Sequence, residues 1–89
     1  MSKTRVVHCK HKQYDVYIGR PSIWGNPFVI GRDGNRTQVI EKYRTWLMRQ
    51  PRLLMQLKEL KGKTLGCWCS PLACHGDVLA ELANQETQS

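Results

Sequence analysis

The order of apolar and polar residues along the chain predicts three short strands. Residues 5–9 and 14–18 are rich in β-branched and aromatic residues and are joined by a polar connection. Residues 64–69 have a similar character and predict a third strand. Residues 19–28 contain two prolines and two glycines, which break any strand or helix. This stretch is therefore expected to be an irregular loop.

The middle of the chain has the spacing of an amphipathic helix. Asn35 followed by Gln38 forms a capping box, which predicts that a helix begins at residue 36 and extends to about residue 49. Its apolar residues recur at helical spacing and are expected to form one buried face. These residues are Val39, Ile40, Tyr43, Trp46 and Leu47.

Two further helices are predicted. Pro51 suits the first turn of a second helix, and Gly62 suits its end. A last helix is expected over residues 76–83. The resulting order of strand, strand, loop, helix, helix, strand, loop and helix predicts an α/β (or α+β) fold, in which a short sheet of about three to four strands packs with about three helices.

The size and composition of the chain indicate one small globular domain. It has 89 residues, of which 40% are hydrophobic. We expect a single domain over residues 1–89, with its core at about 5–83 and a polar tail at 85–89. Because a domain of this size has little core, a structural metal or a partner subunit would be a natural supplement to its stability.

The sequence predicts a cytoplasmic protein. No apolar run approaches the ~20 residues that a membrane span needs, and the basic N-terminus is not followed by the apolar stretch of a secretory signal. Thiols are kept reduced in the cytoplasm. The four cysteines therefore point to metal ligation or catalysis rather than to disulfides.

The charge of the chain is unevenly distributed. All 14 Lys and Arg residues precede residue 64, together with four of the seven acidic residues, so this part carries +10 and the remainder −3. The net charge of +7 and the pI of about 9.6 fit a polyanionic partner, either nucleic acid or a phosphorylated small ligand. They fit an ordinary soluble surface equally well.

Residues 67–77 concentrate the groups that carry chemistry, in the sequence CWCSPLACHGD. They combine the end of the third predicted strand, a tight loop at 70–73 and the start of the last helix. Cys67 and Cys69 are expected on one face of the strand, and Trp68 on the opposite face, toward the core.

A zinc site is one interpretation of this segment, since a Cys₃His ligand set suits tetrahedral zinc. The predicted ligands are Cys67, Cys69, Cys74 and His75. Their C-x-C-x₄-C-H spacing is not a standard zinc-finger spacing. Cys74 and His75 are also adjacent in sequence, which makes it difficult for both to bind one ion. A group from the first strand could replace one of them, with His8, Cys9 and His11 as the candidates.

A thiol catalyst is an alternative interpretation. Cys74, His75 and Asp77 supply the residue types of a nucleophile, a base and an orienting carboxylate, and a helix N-terminus is expected to lower the pKa of the Cys74 thiol. Neighbours in sequence seldom form such a triad, because catalytic partners usually converge from distant segments. The simplest alternative is that the cysteines are small, buried hydrophobic residues.

The loop at residues 20–28 contains side chains typical of ligand binding. Arg20 can donate two hydrogen bonds to a phosphate or carboxylate, Ser22 and Asn26 can hydrogen-bond, and Trp24 offers a face on which a base can stack. The alternative is that Asn26 begins a turn while Trp24 and Phe28 fill the core.

Two motifs make the chain resemble an uncharacterised family of small phage and bacterial proteins, domain-of-unknown-function family 4326. They are RPSxWGNPF at residues 20–28 and CWCxPxxCHGDVL at residues 67–79. The likeness covers about residues 5–83. It implies a stand-alone phage or bacterial accessory domain, and it supplies no established reaction.

Taken together, these patterns predict a protein that binds a nucleotide-like or other phosphate-bearing ligand in a pocket between residues 20–28 and 67–77. One alternative is a zinc- or thiol-dependent enzyme that acts on a nucleotide or modified base. Another is a zinc-stabilised module that interacts with a protein or with nucleic acid. None of these hypotheses involves a membrane.

Overall fold

A parallel three-stranded sheet organises the chain, which a computed structural model describes over residues 3–69 and 72–86. The strands are β1 (Arg5–His8), β2 (Val16–Tyr17) and β3 (Thr64–Cys67). Their order in the sheet is β1-β3-β2, so the last strand in sequence lies between the first two. Both outer strands run parallel to β3.

The segment that joins β1 and β2 crosses β3, and Gly66 makes this crossing possible. A Cβ atom at Gly66 would lie 2.6 Å from Cγ of Tyr14, so the tyrosine ring rests directly on the backbone of β3. At the start of β3, the Asp15 carboxylate accepts a hydrogen bond from the amide of Thr64 at 2.8 Å. These contacts fix the entry of the chain into β2.

The helices follow the predicted signals closely. Helix α1 (Arg36–Leu47) begins with the predicted capping box, in which the side chains of Asn35 and Gln38 each accept from the other's backbone amide. Helix α2 (Pro51–Gln56) has proline in its first turn and continues into a 3₁₀ helix, Leu57–Leu60.

Gly62 ends this helical region with a φ of 70°, a conformation that glycine adopts without strain. Helix α3 (His75–Glu86) begins one residue before the predicted start and extends past residue 83 into the predicted tail. The rest of that predicted tail, 87–89, lies outside the described residues, as do positions 70 and 71 of the predicted loop. The α/β fold of a small domain with three strands and three α-helices is confirmed for the described residues.

The core lies where the sheet, α1, the 3₁₀ helix and α3 meet, and Leu53 and Leu54 of α2 pack against its edge. Tyr43, Leu47, Leu65 and Leu79 are fully buried in it, so α1, β3 and α3 meet there. None of the helices in the described residues is long and apolar enough to cross a membrane.

Trp68 differs from the sequence-based expectation. It was predicted to alternate with Cys67 and Cys69 and to point into the core, but its side chain is 54% exposed. The reason is that β3 ends at Cys67, so the alternation of a strand no longer holds at the next residue. The core tryptophan is instead Trp24, which is 5% exposed.

Candidate functional site

A pocket of about 340 Å³ opens at the C-terminal ends of β2 and β3, and we call it the sheet-edge pocket. Tyr17, Cys67 and the first turn of α3 border it. Its lining also draws on both segments singled out in the sequence. The lining residues are Tyr17, Gly19, Arg20, Asn26, Phe28, Val29, Ile30, Arg36, Val39, Ile40, Cys67, Trp68, Cys69, Ala73, Cys74 and His75.

The loop at residues 20–28 forms one wall through two consecutive turns. The amide of Ser22 donates to the Gly19 carbonyl at 2.9 Å, and the amide of Gly25 donates to the Ser22 carbonyl at 3.0 Å. These turns bring Gly25 back against Arg20, where a Cβ would lie 2.9 Å from Arg20 Cγ and 3.2 Å from Arg20 Cα. Glycine is therefore required for the close approach that positions Arg20.

The structure separates the four predicted ligand-binding residues of this loop. Arg20 and Asn26 border the pocket, whereas Ser22 and Trp24 do not. Trp24 belongs to the core, and its carbonyl accepts a hydrogen bond from the buried Tyr43 hydroxyl at 2.8 Å. Ser22 Oγ is buried and has no hydrogen-bond partner within the described part of the chain. Trp24 thus fills the core, as the alternative interpretation held, and offers no face to a ligand.

Asn26 has a shaping role in the wall. Its Oδ1 accepts from the amide of Phe28 at 2.9 Å, and its Nδ2 donates to the Val39 carbonyl at 3.4 Å. Both polar groups of the side chain are therefore engaged with the protein. They hold the loop against α1 and leave Arg20 as the polar side chain of this wall with the greatest freedom to contact a ligand.

The bottom of the pocket contains a pair of thiols. Cys67, the last residue of β3, and Cys74, which immediately precedes α3, are both buried, and their Sγ atoms lie 3.2 Å apart. Cys74 Sγ also accepts from the amide of Gly76 at 3.3 Å. The thiol therefore satisfies one of the amides that a helix leaves unpaired at its N-terminus.

The electrostatics of Cys74 are opposite to the sequence-based expectation. Its contact with the Cys67 thiol and its burial both raise the pKa of Cys74 well above the usual thiol value. The hydrogen bond from the Gly76 amide lowers the pKa of Cys74, but this effect is smaller. Cys74 is thus a protonated thiol at neutral pH in this geometry, because the contact with Cys67 and burial together outweigh the hydrogen bond at the helix N-terminus.

His75 connects α3 to β2. Its Nε2 lies 2.7 Å from the Ile18 carbonyl oxygen, which can only accept, so Nε2 carries the proton. Burial lowers the pKa of His75, and the nearby positive charge of Arg20 acts in the same direction. The ring also packs edge-on to Tyr43, with 5.0 Å between centroids. His75 is thus neutral at pH 7.

Asp77 acts within the helix rather than in the pocket. Its Oδ2 accepts from the amide of Cys74 at 3.1 Å, and its own amide donates to the Cys74 carbonyl at 3.0 Å. This reciprocal pair stabilises the start of α3. Asp77 is exposed and does not border the pocket, so Cys74 and His75 are the members of the predicted catalytic set that do border it.

The predicted zinc ligands Cys67, Cys69, Cys74 and His75 all border the pocket. However, no three His, Cys, Asp or Glu side chains within residues 3–69 and 72–86 form a group able to hold a metal ion. The Nε2 atom of His75 is directed at Ile18 rather than at the thiols. Zinc binding therefore stays a prediction, with Cys67 and Cys74 as the two candidate ligands that already lie together.

Two arginines, Arg20 and Arg36, give the pocket a positive charge, and of the two only Arg20 was in the predicted set of ligand-binding residues. Arg36, at the start of α1, donates from Nη1 to the Ala73 carbonyl at 2.9 Å and so joins α1 to the segment before α3. Arg20 has no ion pair or hydrogen bond through its guanidinium among the described residues. No acidic residue is among the described residues that line the pocket.

The aromatic component of the pocket also differs from the prediction. Trp68, Tyr17 and Phe28 border it, and Trp68 Nε1 donates to the Tyr17 hydroxyl at 2.7 Å. Trp68 was assigned to the core because its neighbours alternate as in a strand. The signal that could have found its role is its position directly after the central strand, since ligands in α/β folds bind at strand C-termini.

Comparison with known proteins identifies relatives in viruses. Residues 2–85 match the family described as domain of unknown function (DUF4326). An uncharacterized 12.4 kDa protein in the nrdA-td intergenic region of Enterobacteria phage T4 is 36% identical over 86 residues, covering 91% of this chain and 78% of that protein. The uncharacterized protein R718 of Acanthamoeba polyphaga mimivirus is 38% identical over 86 residues, covering 76% of this chain and 65% of that protein, just under two thirds. No solved structure matches the chain.

Proposed function

The chain belongs to the family described as domain of unknown function (DUF4326), and we propose that it binds a small phosphate-bearing, nucleotide-like ligand in the sheet-edge pocket. One observation carries the proposal. Two arginines and three aromatic side chains border the same pocket, and none of its described lining residues is acidic. An anionic ligand with a flat ring system matches both features.

The charge of the pocket favours a phosphate group. Arg20 and Arg36 project from different elements, the 20–28 loop and the start of α1, toward one space. Arginine is the side chain best suited to phosphate, because its planar guanidinium donates two parallel hydrogen bonds. With no acidic residue described in the lining to compete for them, both guanidinium groups can contact a bound anion.

The aromatic side chains favour a base or a similar flat ring. Trp68 is more than half exposed, and its indole is held by the hydrogen bond to Tyr17. Phe28 adds a second, partly buried ring. A base that stacks on an aromatic side chain gains about 1–3 kcal/mol. A ring held in position before binding loses less conformational freedom on binding.

The position and size of the pocket agree with a small ligand. It lies at the carboxyl edge of a parallel sheet, where ligands of open α/β folds bind. Its volume of about 340 Å³ falls at the lower end of the range for small-molecule sites. This argues for a ligand of mononucleotide size rather than a dinucleotide.

Calorimetric titration tests the proposal. Purified protein would be titrated with nucleoside monophosphates, nucleoside diphosphates, the corresponding free nucleosides and inorganic phosphate. We expect one or more phosphorylated nucleosides to bind, and the matching free nucleoside to bind about tenfold or more weakly, because the charge-assisted hydrogen bonds are lost. If none of these compounds binds at millimolar concentration, the proposal is wrong.

Matched arginine variants locate the binding. Arg20→Gln and Arg36→Gln should each lower the affinity for the phosphorylated nucleoside by roughly 10- to 100-fold. Arg52→Gln removes the same charge from the exposed surface of α2, away from the pocket lining, and should leave affinity unchanged. Equal losses in all three variants would point to non-specific charge rather than to the sheet-edge pocket.

A zinc- or thiol-dependent enzyme is the second candidate, and it has an observation in its favour. Three thiols and the imidazole of His75 border the same pocket that we assign to the ligand. Native mass spectrometry of freshly purified, reduced protein separates the candidates. A stoichiometric zinc ion that is lost in a Cys67→Ser, Cys74→Ser double variant would favour the enzyme, whereas a metal-free protein that retains its ligand would favour simple binding.

A further inference from the structure

An exposed group of cationic and aromatic side chains extends from one edge of the sheet-edge pocket. We call it the Trp68 ledge and define it as Trp68 with His8, Lys10 and His11. The His8 ring meets Trp68 edge-on with 5.9 Å between centroids, and Lys10 Nζ lies 5.5 Å from the indole centroid. The His8 and His11 rings are 4.5 Å apart. The ledge therefore places His8 and Lys10 against one exposed indole, with His11 beside His8.

The ledge is built by the end of β1. His8 pairs with Cys67 in the sheet, and its carbonyl accepts hydrogen bonds from the amides of His11 and Lys12, each at 3.1 Å. The chain thus turns sharply after β1 and presents its basic residues beside β3. His8 Nδ1 accepts from the amide of Lys10 at 3.1 Å, so a neutral His8 carries its proton on Nε2 and can donate to a ligand.

Trp68 joins the ledge to the pocket. It borders the sheet-edge pocket, it is held there by Tyr17, and it also contacts His8 and Lys10 on the ledge. Lys10 itself borders no part of that pocket and forms no ion pair with a carboxylate in residues 3–69 and 72–86. A surface made of an exposed indole, two imidazole rings and the unneutralised cation of Lys10 thus continues outward from the proposed phosphate site.

We propose that the Trp68 ledge binds the nucleotide next to the one in the pocket, so that the ligand is a single-stranded nucleic acid. This inference rests on the proposed function of the pocket. Single strands are bound by aromatic side chains on which bases stack, combined with cations that follow the phosphates. A duplex fits less well, because its bases are stacked on one another and cannot lie on Trp68.

The ledge also has a simpler structural interpretation, in which Lys10 and His8 only shield the indole from water. That interpretation predicts that the side chains contribute to stability and not to binding. The two interpretations therefore differ in what happens to affinity and to its salt dependence when a ledge residue is replaced. Thermal unfolding of each variant serves as the measure of stability.

The test compares a fluorescently labelled single strand of about eight nucleotides, a length within the range for compact single-strand sites, with the nucleoside monophosphate that binds best. Affinity for the strand is measured by fluorescence anisotropy at several salt concentrations, with DNA, RNA and a duplex of the same sequence. We expect the single strand to bind more tightly than the monophosphate and than the duplex.

Three variants assign the gain to the ledge. Trp68→Ala should weaken strand binding roughly tenfold, with Trp68→Phe recovering most of the loss because a stacking face is restored. Lys10→Gln should make the slope of log affinity against log salt shallower by about 0.7, the value for one lost phosphate contact on a single strand. Lys63→Gln is the matched control, because Lys63 is exposed at the opposite end of β3.

The outcomes separate this inference from the one on which it rests. If the monophosphate binds but the strand binds no more tightly, or if Lys10→Gln and Lys63→Gln change the salt slope equally, the ledge proposal is wrong and the pocket proposal stands. If the strand binds through the ledge and Arg36→Gln changes neither the affinity for the strand nor the affinity for the monophosphate, the pocket proposal is wrong instead. A strand affinity that depends on Lys10, Trp68 and Arg36 together supports both.

Discussion

Cys67 Sγ lies 3.2 Å from Cys74 Sγ, and both thiols are buried where β3 and α3 meet beneath the sheet-edge pocket. The contact joins the last residue of the central strand to the residue that precedes α3. Because each thiol shields the other from water, the pair behaves as part of the core while still bordering the pocket. The rate at which these thiols react with a reagent therefore indicates whether they are buried in the way the structure shows.

Alkylation of the native protein should distinguish the four cysteines. Cys74 has a raised pKa and is buried, so its thiolate is scarce at neutral pH. We expect iodoacetamide at about pH 7.5 to modify Cys74 at least about tenfold more slowly than the half-buried Cys9 and Cys69. Peptide mapping by mass spectrometry gives the rates, and all four residues should react alike in denaturant. Fastest modification at Cys74 would instead indicate an activated thiol and favour the enzyme hypothesis.

The pH dependence of stability should follow His75. Burial holds the pKa of His75 below its ordinary value of 6.5, so the unfolded chain takes up a proton before the folded protein does. The contribution of His75 to stability is therefore complete above about pH 6.5 and is lost as the pH falls below that value. We therefore expect a lower urea midpoint at about pH 5.5 than at about pH 7.5.

The control for this pH dependence is His75→Gln, whose amide can keep a donor near the Ile18 carbonyl but does not titrate. Its midpoint should fall less between the two pH values. Asp33, whose pKa Arg32 holds below 3.8, stays ionised throughout this range and does not contribute to the difference. An equal fall in both proteins would show that another group is responsible.

Thr4 should be worth more to stability than its position near the N-terminus indicates. Its buried hydroxyl donates to the Leu60 carbonyl at 2.6 Å and accepts from the amide of Gly62 at 3.1 Å. Valine has nearly the same shape but leaves the Gly62 amide unpaired and removes one of the two hydrogen bonds to the Leu60 carbonyl, which also accepts from the amide of Lys63 at 3.1 Å, so Thr4→Val should cost about 1–3 kcal/mol. Chemical denaturation measures the loss, and Thr37→Val, at an exposed position of α1, should cost less than about 1 kcal/mol.

The sequence predicted those parts of the fold that depend on neighbouring residues. The capping box of Asn35 and Gln38, the proline that opens α2 and the glycine that ends the helical region are local signals, and each has its predicted structure. The parallel sheet was not predicted, because the position of β3 between β1 and β2 depends on contacts far apart in the chain.

Trp24 was predicted to contact a ligand and Trp68 to lie in the core, but the structure exchanges these roles. Here too, the outcome depends on features that neighbouring residues do not reveal. Trp24 lies in the core with Tyr43, which is nineteen positions away and whose buried hydroxyl donates to the Trp24 carbonyl at 2.8 Å. Trp68 is exposed because the strand ends one residue earlier. Residue types alone identified both segments that border the pocket, but only the three-dimensional structure reveals which side chains within them are available to a ligand.

Gly76 provides a test in which helix propensity and packing have opposite effects. A Cβ at Gly76 would lie 2.6 Å from Ile18 Cδ1, 3.1 Å from Val6 Cγ1 and 3.2 Å from Cys74 Sγ. Alanine favours a helix over glycine by about 1 kcal/mol, whereas overpacking a core costs about 1–3 kcal/mol. Because Ile18 is fully buried and cannot move aside freely, we expect the packing cost to prevail.

Gly76→Ala should therefore lower the free energy of unfolding, by about 1 kcal/mol once the gain in helix propensity is subtracted. It should also change the alkylation rate of Cys74, since the new methyl group pushes against its sulfur. Thr37→Ala, at the equivalent second position of α1, is exposed and should leave stability within about 0.5 kcal/mol of the parent protein. If Gly76→Ala proves as stable as the parent, the close packing of α3 against β1 and Ile18 is wrong, and with it the geometry of the thiol pair.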